Sequence, residues 1–542
     1  MYPAMDGNIF RSELYDENYI KPKRTFYQFL RDKLSHLTDE QLEYPFMVDS
    51  TTGQTVYLKD VIPVTRRVSS ALNRKGFRKK DGICIVTENR CNAIYGMMAA
   101  FATGGVLSTM VPYYSQDLIE KLLVKLDPKV ILVCRSSEKA VHNIIKAGVL
   151  PNALVYCFDE SHLFPSFDTL MEDDGNLFPN DIEIDFKTDA ILSLPSSGTT
   201  GIPKFIQHSN YSMMVFMENF HKPKEVVSEF RILMLNCFYH MSGIFVSLAL
   251  LGEMTVYILS DPPYTEEKML STMEKDRINL VSLFPFQISL LANYPHKDKY
   301  DVSSLKAVFS GGSKLYASDK EKFMKAYDQV LAVSQSYGAT ETLMFLENQP
   351  PYDKKAKEGS VGILWKFTEA KVVDCLTGKS LGPNQKGELC VRVPCIMLGY
   401  KNAPEETAKV IDEDGFYHMG DVGWVDEEGY MFVEDRIANV IKFQTKETSI
   451  LTIYTSDIEN VILSHPCVKE VAVNGVYDAD FQEVPKAYVV LNPNKSVSES
   501  DILEFANAKL EDHCHLRGGL KIVSTIPKNA NGKVLRNLLK EL

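Results

Sequence analysis

Two glycines, four hydroxyl side chains and one lysine lie together in LPSSGTTGIPK, the stretch from Leu194 to Lys204. Glycine lets a backbone turn tightly and approach a ligand. Backbone N–H groups, hydroxyls and an ammonium can together surround the oxygens of a phosphate. The order G-x-x-x-x-G-K-[ST] is missing, and Pro203 disfavours direct entry into a helix, so this is not a Walker A loop. By itself the stretch fits a phosphate cradle and a polar surface loop equally well.

Three further stretches contain side chains that suit a nucleotide. In QSYGATET the ring of Tyr337 can cover a purine, and the carboxylate of Glu341 suits Mg²⁺, which prefers oxygen ligands. The stretch YHMGD ends in Asp421, whose carboxylate can bridge two ribose hydroxyls. The stretch PKNANGKVLR presents Lys533 just after a glycine turn. Each signal is weak alone, because a single Asp usually belongs to a turn and a single Lys is usually solvated.

Taken in order, these stretches resemble the adenylate-forming superfamily of acyl-CoA synthetases, 4-coumarate–CoA ligases and firefly luciferase. Ser196 to Lys204 fits the phosphate-loop signature [ST]SG[ST]TGxPK, and Tyr337 to Glu341 fits Y-G-x-T-E. The resemblance covers nearly the whole chain. Shorter matches follow in family order at Gly387-Glu388-Leu389, Leu398-Gly399-Tyr400, Asp414-Gly415-Phe416, Asp435-Arg436, Ile441-Lys442 and Gly532-Lys533.

The resemblance implies a role for each matching position. Residues that would hold the β- and γ-phosphates of ATP are Ser196, Ser197, Gly198, Thr199, Thr200, Gly201 and Lys204. Residues that would enclose the adenine are Ser310, Gly311, Gly312, Ser313, Gln335, Ser336, Tyr337 and Gly338. Residues that would act on the rest of the nucleotide are Thr340 at the α-phosphate, Glu341 at Mg²⁺, Asp421 and Arg436 at the ribose, and Lys442 as a further cofactor-binding position.

The implied reaction is the ATP-dependent activation of a fatty or aromatic acid to an acyl-adenylate, followed by thioester formation with CoA. Two anions must be brought together, so cations and N–H donors are the main need. Lys533 would reach in from a small C-terminal domain, which then rotates about a hinge expected at Asp435-Arg436. His240 matches the histidine that flanks the acyl pocket, with Ser242 and Gly243 beside it.

Several positions depart from the family pattern. Met419 replaces the usual Thr or Ser before Gly-Asp, and Lys314 replaces the usual Pro after Gly-Gly-Ser. After Ile-Lys the family has K-G-[FY]-Q-[VI], whereas this chain has Thr445 at the glycine and Glu447 at the glutamine. A β-branched residue there can obstruct the pantetheine of CoA. An altered acceptor, an absent CoA step and a non-catalytic nucleotide-binding protein therefore stay open, while Ser242, where luciferase has an aromatic, argues against light emission.

Alternating strand-like and helix-like stretches predict an α/β fold. Gly82–Val86 and Val130–Val133 are apolar runs of the kind found inside parallel sheets. We expect a large N-terminal domain, residues 1–435, built of layered α/β subdomains and a β subdomain that begins near Pro351, followed by a small mobile α+β domain, residues 436–542. In that small domain, Ser456-Asp457-Ile458-Glu459 predicts a capping box, and a further helix is expected from Ser500 to Leu510.

Composition excludes several classes of protein. With 45% hydrophobic and 24% charged residues, the 542-residue chain is neither disordered nor collagen-like. Its 59 basic and 71 acidic residues give a net charge of -12, which argues against a nucleic-acid partner. The uncharged run from Cys91 to Gln116 predicts a buried helix and strand rather than a transmembrane segment. Ten cysteines without a C-x-x-C predict reduced thiols and a cytoplasmic location, with the peroxisome and a membrane surface left open.

Overall fold

Four β-sheets with packed helices make up this computed structural model, which describes residues 4–6, 8–12, 24–180, 182–196, 203–220, 230–249, 251–347, 357–444, 450–528, 534–539 and 541–542. The strands in chain order are β1 (Ala4–Asp6), β2 (Ile9–Arg11), β3 (Pro45–Asp49), β4 (Thr55–Tyr57), β5 (Gly82–Val86), β6 (Val106–Met110), β7 (Val130–Val133), β8 (Leu154–Cys157), β9 (Ala190–Pro195), β10 (Phe205–Ser209), β11 (Arg231–Met234), β12 (Thr255–Ile258), β13 (Leu280–Leu283), β14 (Ala307–Ser310), β15 (Ala332–Ala339), β16 (Leu343–Glu347), β17 (Ile363–Leu364), β18 (Glu369–Val373), β19 (Ser380–Leu381), β20 (Gly387–Arg392), β21 (Gly399–Tyr400), β22 (Tyr417–Val425), β23 (Met431–Arg436), β24 (Ile441–Gln444), β25 (Ile450–Ile453), β26 (Val468–Asp478), β27 (Gln482–Leu491) and β28 (Leu520–Ile522).

The helices connect these strands and cover the faces of the sheets. In chain order they are α1 (Phe26–Ser35), α2 (Asp39–Leu42), α3 (Leu58–Arg74), α4 (Ala93–Ala102), α5 (Gln116–Leu126), α6 (Arg135–Lys146), α7 (Asp168–Met171), α8 (Asn210–Phe220), α9 (Met241–Ala249), α10 (Glu266–Lys275), α11 (Pro285–Ala292), α12 (Ala317–Ala326), α13 (Pro404–Ala408), α14 (Thr455–Leu463), α15 (Glu499–Asn507) and α16 (Arg536–Leu539).

Sheet I has the strand order β21-β10-β9-β6-β5-β7-β8. Its strands β5 to β8 run parallel, and β5 and β7 have the predicted bounds. The uncharged run folds into α4, which is buried along its whole length, and the mostly buried strand β6, as predicted. Across the described residues, no helix combines the length and apolar character that crossing a bilayer requires.

Sheet II has the order β17-β16-β15-β14-β13-β11-β12-β3-β4, and its strands from β3 to β15 in that row run parallel. The predicted strands near residues 256, 280 and 307 are β12, β13 and β14. Parallel strands bring their carboxyl ends to one edge of a sheet, where α/β proteins place ligands. The segments that follow β11, β14 and β15 therefore lie along one edge.

Sheet III is antiparallel, with the order β1-β2-β18-β20-β22-β23 and β19 paired to β18. The all-β texture predicted after Pro351 corresponds to its strands from β18 onward. Strands β1 and β2 were not predicted, because three-residue strands carry no readable periodicity. They join the sheet through long-range pairing, in which Phe10 lies opposite Ala370.

Sheet IV contains β25-β24-β27-β26, with β28 parallel to β27. Its hydrophobic core is drawn entirely from residues after Arg436, and Ile441, Phe443 and Ile458 are among them. The predicted start of the second helix was wrong. Helix α15 begins at Glu499, because Ser498 rather than Ser500 is the N-cap and its hydroxyl accepts the N–H of Asp501.

Asp435, at the end of β23, fastens sheet III to the first helix after it. One carboxylate oxygen accepts the N–H of Arg436 at 2.7 Å and the amide of Asn439 at 2.8 Å. The other accepts the hydroxyl of Thr455 and, at 3.2 Å, the N–H of Ser456. The predicted capping box is therefore wrong: Tyr454 rather than Ser456 is the N-cap, so α14 begins at Thr455, two residues earlier than a box on Ser456 implies. A carboxylate from sheet III lies at its N-terminus, where negative charge is stabilising.

Candidate functional site

Two predicted adenine-enclosing segments lie against each other at the carboxyl edge of sheet II. Ser310 at the end of β14 pairs with Gln335 of β15. A Cβ on Gly311 would lie 2.7 Å from Oγ of Ser336 and 3.3 Å from its carbonyl oxygen, so glycine allows the two segments to approach without a shift of Ser336. Gly312 has φ +83, a backbone conformation that favours glycine. Of the same predicted set, Ser313 is partly buried and Gly338 is exposed on β15.

Asp421 lies where sheet II meets sheet III. Tyr337 donates its hydroxyl to Oδ2 of Asp421 at 2.6 Å, and Nε of Arg436 lies 2.8 Å from Oδ1. The β-ladder between β22 and β23 places Asp421 directly opposite Arg436. Burial opposes the charge of Arg436, but the summed attraction to Asp421, Tyr337, Tyr417 and Glu341 outweighs it and raises the pKa of the guanidinium. Three predicted nucleotide-binding residues, distant in sequence, are thus in direct contact.

Thr340 and Glu341 lie in the turn between β15 and β16. Tyr400 donates its hydroxyl to Oε1 of Glu341 at 2.9 Å, and the carbonyl of Glu341 accepts the N–H of Met397 at 2.7 Å. Burial and the neighbouring Glu341 carboxylate raise the pKa of Tyr400, which keeps its hydroxyl a donor. The turn therefore carries a carboxylate and, in the preceding residue, a threonine hydroxyl, and hard oxygen ligands of this kind are those that Mg²⁺ prefers.

The predicted phosphate loop connects β9 and β10, which pair as antiparallel neighbours. Its ends are joined, because the N–H of Ser196 donates to the carbonyl of Lys204 at 2.7 Å. The ammonium of Lys204 lies 2.6 Å from Glu406 and 4.9 Å from the ring centre of Tyr400. Hydrogen bonds from Lys204 and then from Lys409 lower the pKa of Glu406 to about 2. The loop lysine thus approaches the tyrosine that holds Glu341.

Sequence reasoning missed His208, which lies four residues after Lys204 on β10. Its side chain is wholly buried, and Nε2 lies 2.7 Å from the carbonyl oxygen of Thr340. Burial lowers the pKa of His208 to about 4, so the ring is neutral near pH 7. The sequence offers one signal for such a residue, a histidine as the fourth residue of a short, mostly buried strand. That pattern is the same for an ordinary core histidine, so the sequence alone does not reveal the contact with Thr340.

His240 and Ser242 lie at the start of α9, on the same carboxyl edge of sheet II. Ser242 is hydrogen-bonded to Nδ1 of His240 at 3.1 Å and accepts the side-chain amide of Asn236 at 3.0 Å. Burial lowers the pKa of His240. A Cβ on Gly243 would lie 2.2 Å from the carbonyl oxygen of Cys237, so this position admits only glycine. Ser242 is therefore a small residue beside His240, and its hydroxyl also orients the imidazole ring.

The structure does not bring every predicted residue to this edge. Lys442 is exposed on β24, and its N–H donates to Glu483 within the C-terminal unit. Outside the described residues lie Ser197, Gly198, Thr199, Thr200, Gly201 and Lys533, together with the departures Thr445 and Glu447.

Among the described residues, one group of soft and hard metal ligands comes together, at Glu388, Cys390 and His418 in sheet III. Nδ1 of His418 already lies 2.9 Å from Glu388, and this hydrogen bond raises the pKa of the histidine. Lys371 pairs with Asp412 at 2.7 Å beside the same ring. These contacts form an ion-pair network on the face of the sheet. All ten cysteines belong to the described part of the chain, and none is in a disulfide.

The neutral state of His208 predicts a pH dependence of stability. Its pKa falls from 6.5 to about 4 through burial, and no charged neighbour contributes to the shift. Below pH 6.5 the histidine therefore takes up a proton when the protein unfolds, because it is neutral in the folded state. The free energy of unfolding is highest above that pH and falls as the pH is lowered towards 4. The loss amounts to about 3 kcal/mol.

Thermal unfolding of wild type and His208→Gln between pH 7 and pH 4 measures this effect. The wild type should lose stability relative to the variant as the pH falls, because the glutamine does not titrate. Parallel pH profiles for the two proteins would contradict the assignment of a depressed pKa to His208.

Comparison with known proteins agrees with the geometry. A model of the AMP-binding enzyme family matches residues 39–401, and a model of the AMP-binding enzyme C-terminal domain matches residues 457–533. The chain is 28% identical over 565 residues to the probable 4-coumarate–CoA ligase 2 of Dictyostelium discoideum, covering 100% of this chain and 99% of that protein. It is 30% identical over 496 residues to the luciferin 4-monooxygenase of Photinus pyralis, covering 88% and 87%.

The fold matches a solved structure as well. The crystal structure of ATP-bound MatB from Rhodopseudomonas palustris superposes with a TM-score of 0.83 at 24% identity, covering 95% of this chain and 98% of that one. The α/β fold and the family resemblance predicted from the motifs are both confirmed. Since the first family model alone spans more than half of the sequence, this chain belongs to the AMP-binding family of adenylate-forming enzymes.

Proposed function

We propose that this protein is an AMP-forming ligase that activates a fatty or aromatic carboxylic acid with ATP and transfers the acyl group to CoA. The observation that carries the proposal is the meeting of Asp421, Tyr337 and Arg436 beside the turn that presents Glu341. Their carboxylate, ring and guanidinium suit a ribose and a purine, and the turn suits a metal–phosphate complex.

Nucleotide binding divides among these groups. Asp421 accepts the two ribose hydroxyls, and Arg436 holds that carboxylate in place from the neighbouring strand. The adenine lies against Tyr337 and the Gly311-Gly312 backbone at the edge of sheet II. Mg²⁺ held by Glu341 would neutralise charge on the phosphates. Lys204 and the loop from Ser196 to Gly201 bind the β- and γ-phosphates.

The first chemical step joins the acid to AMP. A carboxylate oxygen attacks the α-phosphorus, the bond to the β-phosphate oxygen breaks, and pyrophosphate leaves with the bonding electrons. Charge builds on oxygens that cations and N–H donors can stabilise, which is usually the largest contribution to such a rate. Thr340 and Lys533 act at the α-phosphate, and Lys204 acts at the departing pyrophosphate.

The second step transfers the acyl group to a thiol. The sulfur of CoA attacks the acyl carbonyl carbon, the mixed anhydride bond breaks, and AMP leaves as the thiol proton is released. His240 flanks the acyl pocket, and Ser242 and Asn236 orient its ring. For this step residues 436–542 rotate about Asp435-Arg436, and the contacts of Asp435 with Thr455 and Ser456 must be released.

A second candidate is an adenylate former that uses another acceptor or lacks the CoA step. It is favoured by one observation, the β-branched Thr445 at the position where the family has a glycine beside the pantetheine. In this case the adenylation groups work unchanged, and only the second half-reaction differs.

An acid panel tests the proposal. With ATP and a cognate acid the wild type should release pyrophosphate, and AMP release should then require CoA. Lys533→Ala should slow pyrophosphate release by about 10²–10³-fold, because it removes a charge at the reacting phosphate. Lys528→Ala is the matched control, since Lys528 pairs with Glu470 at 2.6 Å and should keep full activity. Release that ignores the acid, or equal rates in both variants, would contradict the proposal.

The ion pair between Lys204 and Glu406 competes with the phosphates for the lysine. Both side chains are partly exposed, so solvent screens the pair and its contribution is small. Glu406→Gln should therefore tighten ATP binding by up to about fivefold, measured by calorimetry with Mg²⁺. Glu405→Gln removes the same charge from the adjacent, exposed position of α13 and is the control. Equal effects of the two changes would refute direct competition.

Replacing the residue at the family's glycine position separates the two candidate functions. Thr445→Gly should raise the rate of thioester formation relative to adenylation if the threonine obstructs pantetheine, while acid-dependent pyrophosphate release stays the same. The ratio of acyl-CoA to pyrophosphate, followed by chromatography, is the measurement. Thr448→Gly, which makes the same change three residues further on, is the control for this ratio. A ratio that does not respond to Thr445→Gly means that the threonine does not limit the CoA step.

A further inference from the structure

We propose that His208 is a positioning residue of the adenylation site: it holds the carbonyl of Thr340 and so sets where Thr340 and Glu341 meet the nucleotide and its metal ion. This inference rests on the proposed function. It adds a residue that lies outside every motif by which the site was predicted, and one that reaches the turn through the protein interior rather than from the ligand side.

The direction of the hydrogen bond is determined by its partners. A backbone carbonyl oxygen only accepts, so Nε2 of His208, 2.7 Å away, carries the proton. The other ring nitrogen, Nδ1, faces the hydroxyl of Ser212 at 3.4 Å. The side chain is wholly buried, so the histidine meets the carbonyl from the protein interior. A carbonyl that loses its donor on the interior side of the turn is costly to leave unpaired, so this bond constrains the turn.

The turn is held by two contacts that both lead back to β10. His208 holds the carbonyl of Thr340, and Tyr400 holds the carboxylate of Glu341. Tyr400 lies in β21, where it pairs with Ile206 of β10. The N–H of Leu398 donates to the carbonyl of Gln207 on β10, at 2.7 Å. The contacts form a closed ring from β10 through the turn to β21 and back.

This ring couples two parts of the site that belong to different sheets. Strand β10 begins one residue after Lys204, at the end of the phosphate loop, and belongs to sheet I. The turn with Glu341 extends from β15 of sheet II. A change in the His208 contact therefore shifts the metal-binding carboxylate relative to the phosphate loop. Misplacement of about 1 Å can slow a reaction by about 10²-fold.

Two substitutions separate positioning from packing. His208→Leu removes the donor and keeps an apolar side chain, whereas His208→Gln places an amide N–H near the position of Nε2. In pyrophosphate exchange, His208→Leu should lower kcat and raise the Mg²⁺ concentration for half-maximal rate, each by about 10–100-fold, with KM for the acid little changed. His208→Gln should recover most of both losses. Ser212→Ala, which leaves the Thr340 bond in place, is the control and should behave like wild type.

Hydrogen exchange of the peptide spanning β15 and β16 gives a readout that needs no activity. The amides of the turn should exchange faster in His208→Leu than in wild type, and His208→Gln should restore protection. The inference is overturned if His208→Leu keeps the wild-type Mg²⁺ dependence and protection, or if His208→Gln is no better than His208→Leu. If the wild type shows no pyrophosphate exchange, the proposed function is refuted instead. The rates of amide hydrogen exchange in the turn would still decide the role of His208.

Discussion

The arrangement of the site depends on the hydrogen bonds that fasten the Thr340–Glu341 turn to β10. A turn at the end of a strand has few contacts of its own, and its side chains would otherwise sample many positions. Here the carbonyl of Thr340 accepts from buried His208, and the carboxylate of Glu341 accepts from Tyr400. These bonds join sheet I to sheet II, so the strand that follows Lys204 and the acidic turn share one frame.

Asp421 makes the corresponding connection to sheet III. Its two oxygens are held by Tyr337 from sheet II and by Arg436 from the neighbouring strand. These partners satisfy the oxygens of a carboxylate in a largely buried place, where an unpaired polar group would carry a large cost. The edge where three sheets meet is therefore polar and pre-organised, and the apolar cores lie behind it.

Asp435 is a second carboxylate that connects two parts of the chain, and it lies at the expected hinge. It lies one residue before the end of β23, the last strand of sheet III. Its carboxylate contacts the N-terminus of α14, which belongs to the unit with a separate core. One short segment thus carries both Arg436, which pairs with Asp421, and the contact that holds the first helix of the C-terminal unit. A rotation about this segment would change the second contact while leaving the ladder between Asp421 and Arg436 intact.

The sequence by itself determined the family, the α/β class and the central strands, because long signatures and buried apolar runs such as Gly82–Val86 are local patterns that residue type alone specifies. It also named Tyr337, Asp421 and Arg436, whose contact the structure then supplied. Only the tertiary structure decided what long-range pairing controls: the strands β1 and β2, the capping of α14 by Asp435, and the bond from His208 to Thr340. Each of these contacts joins residues that are remote in sequence, so neither local periodicity nor residue propensity predicts the contact.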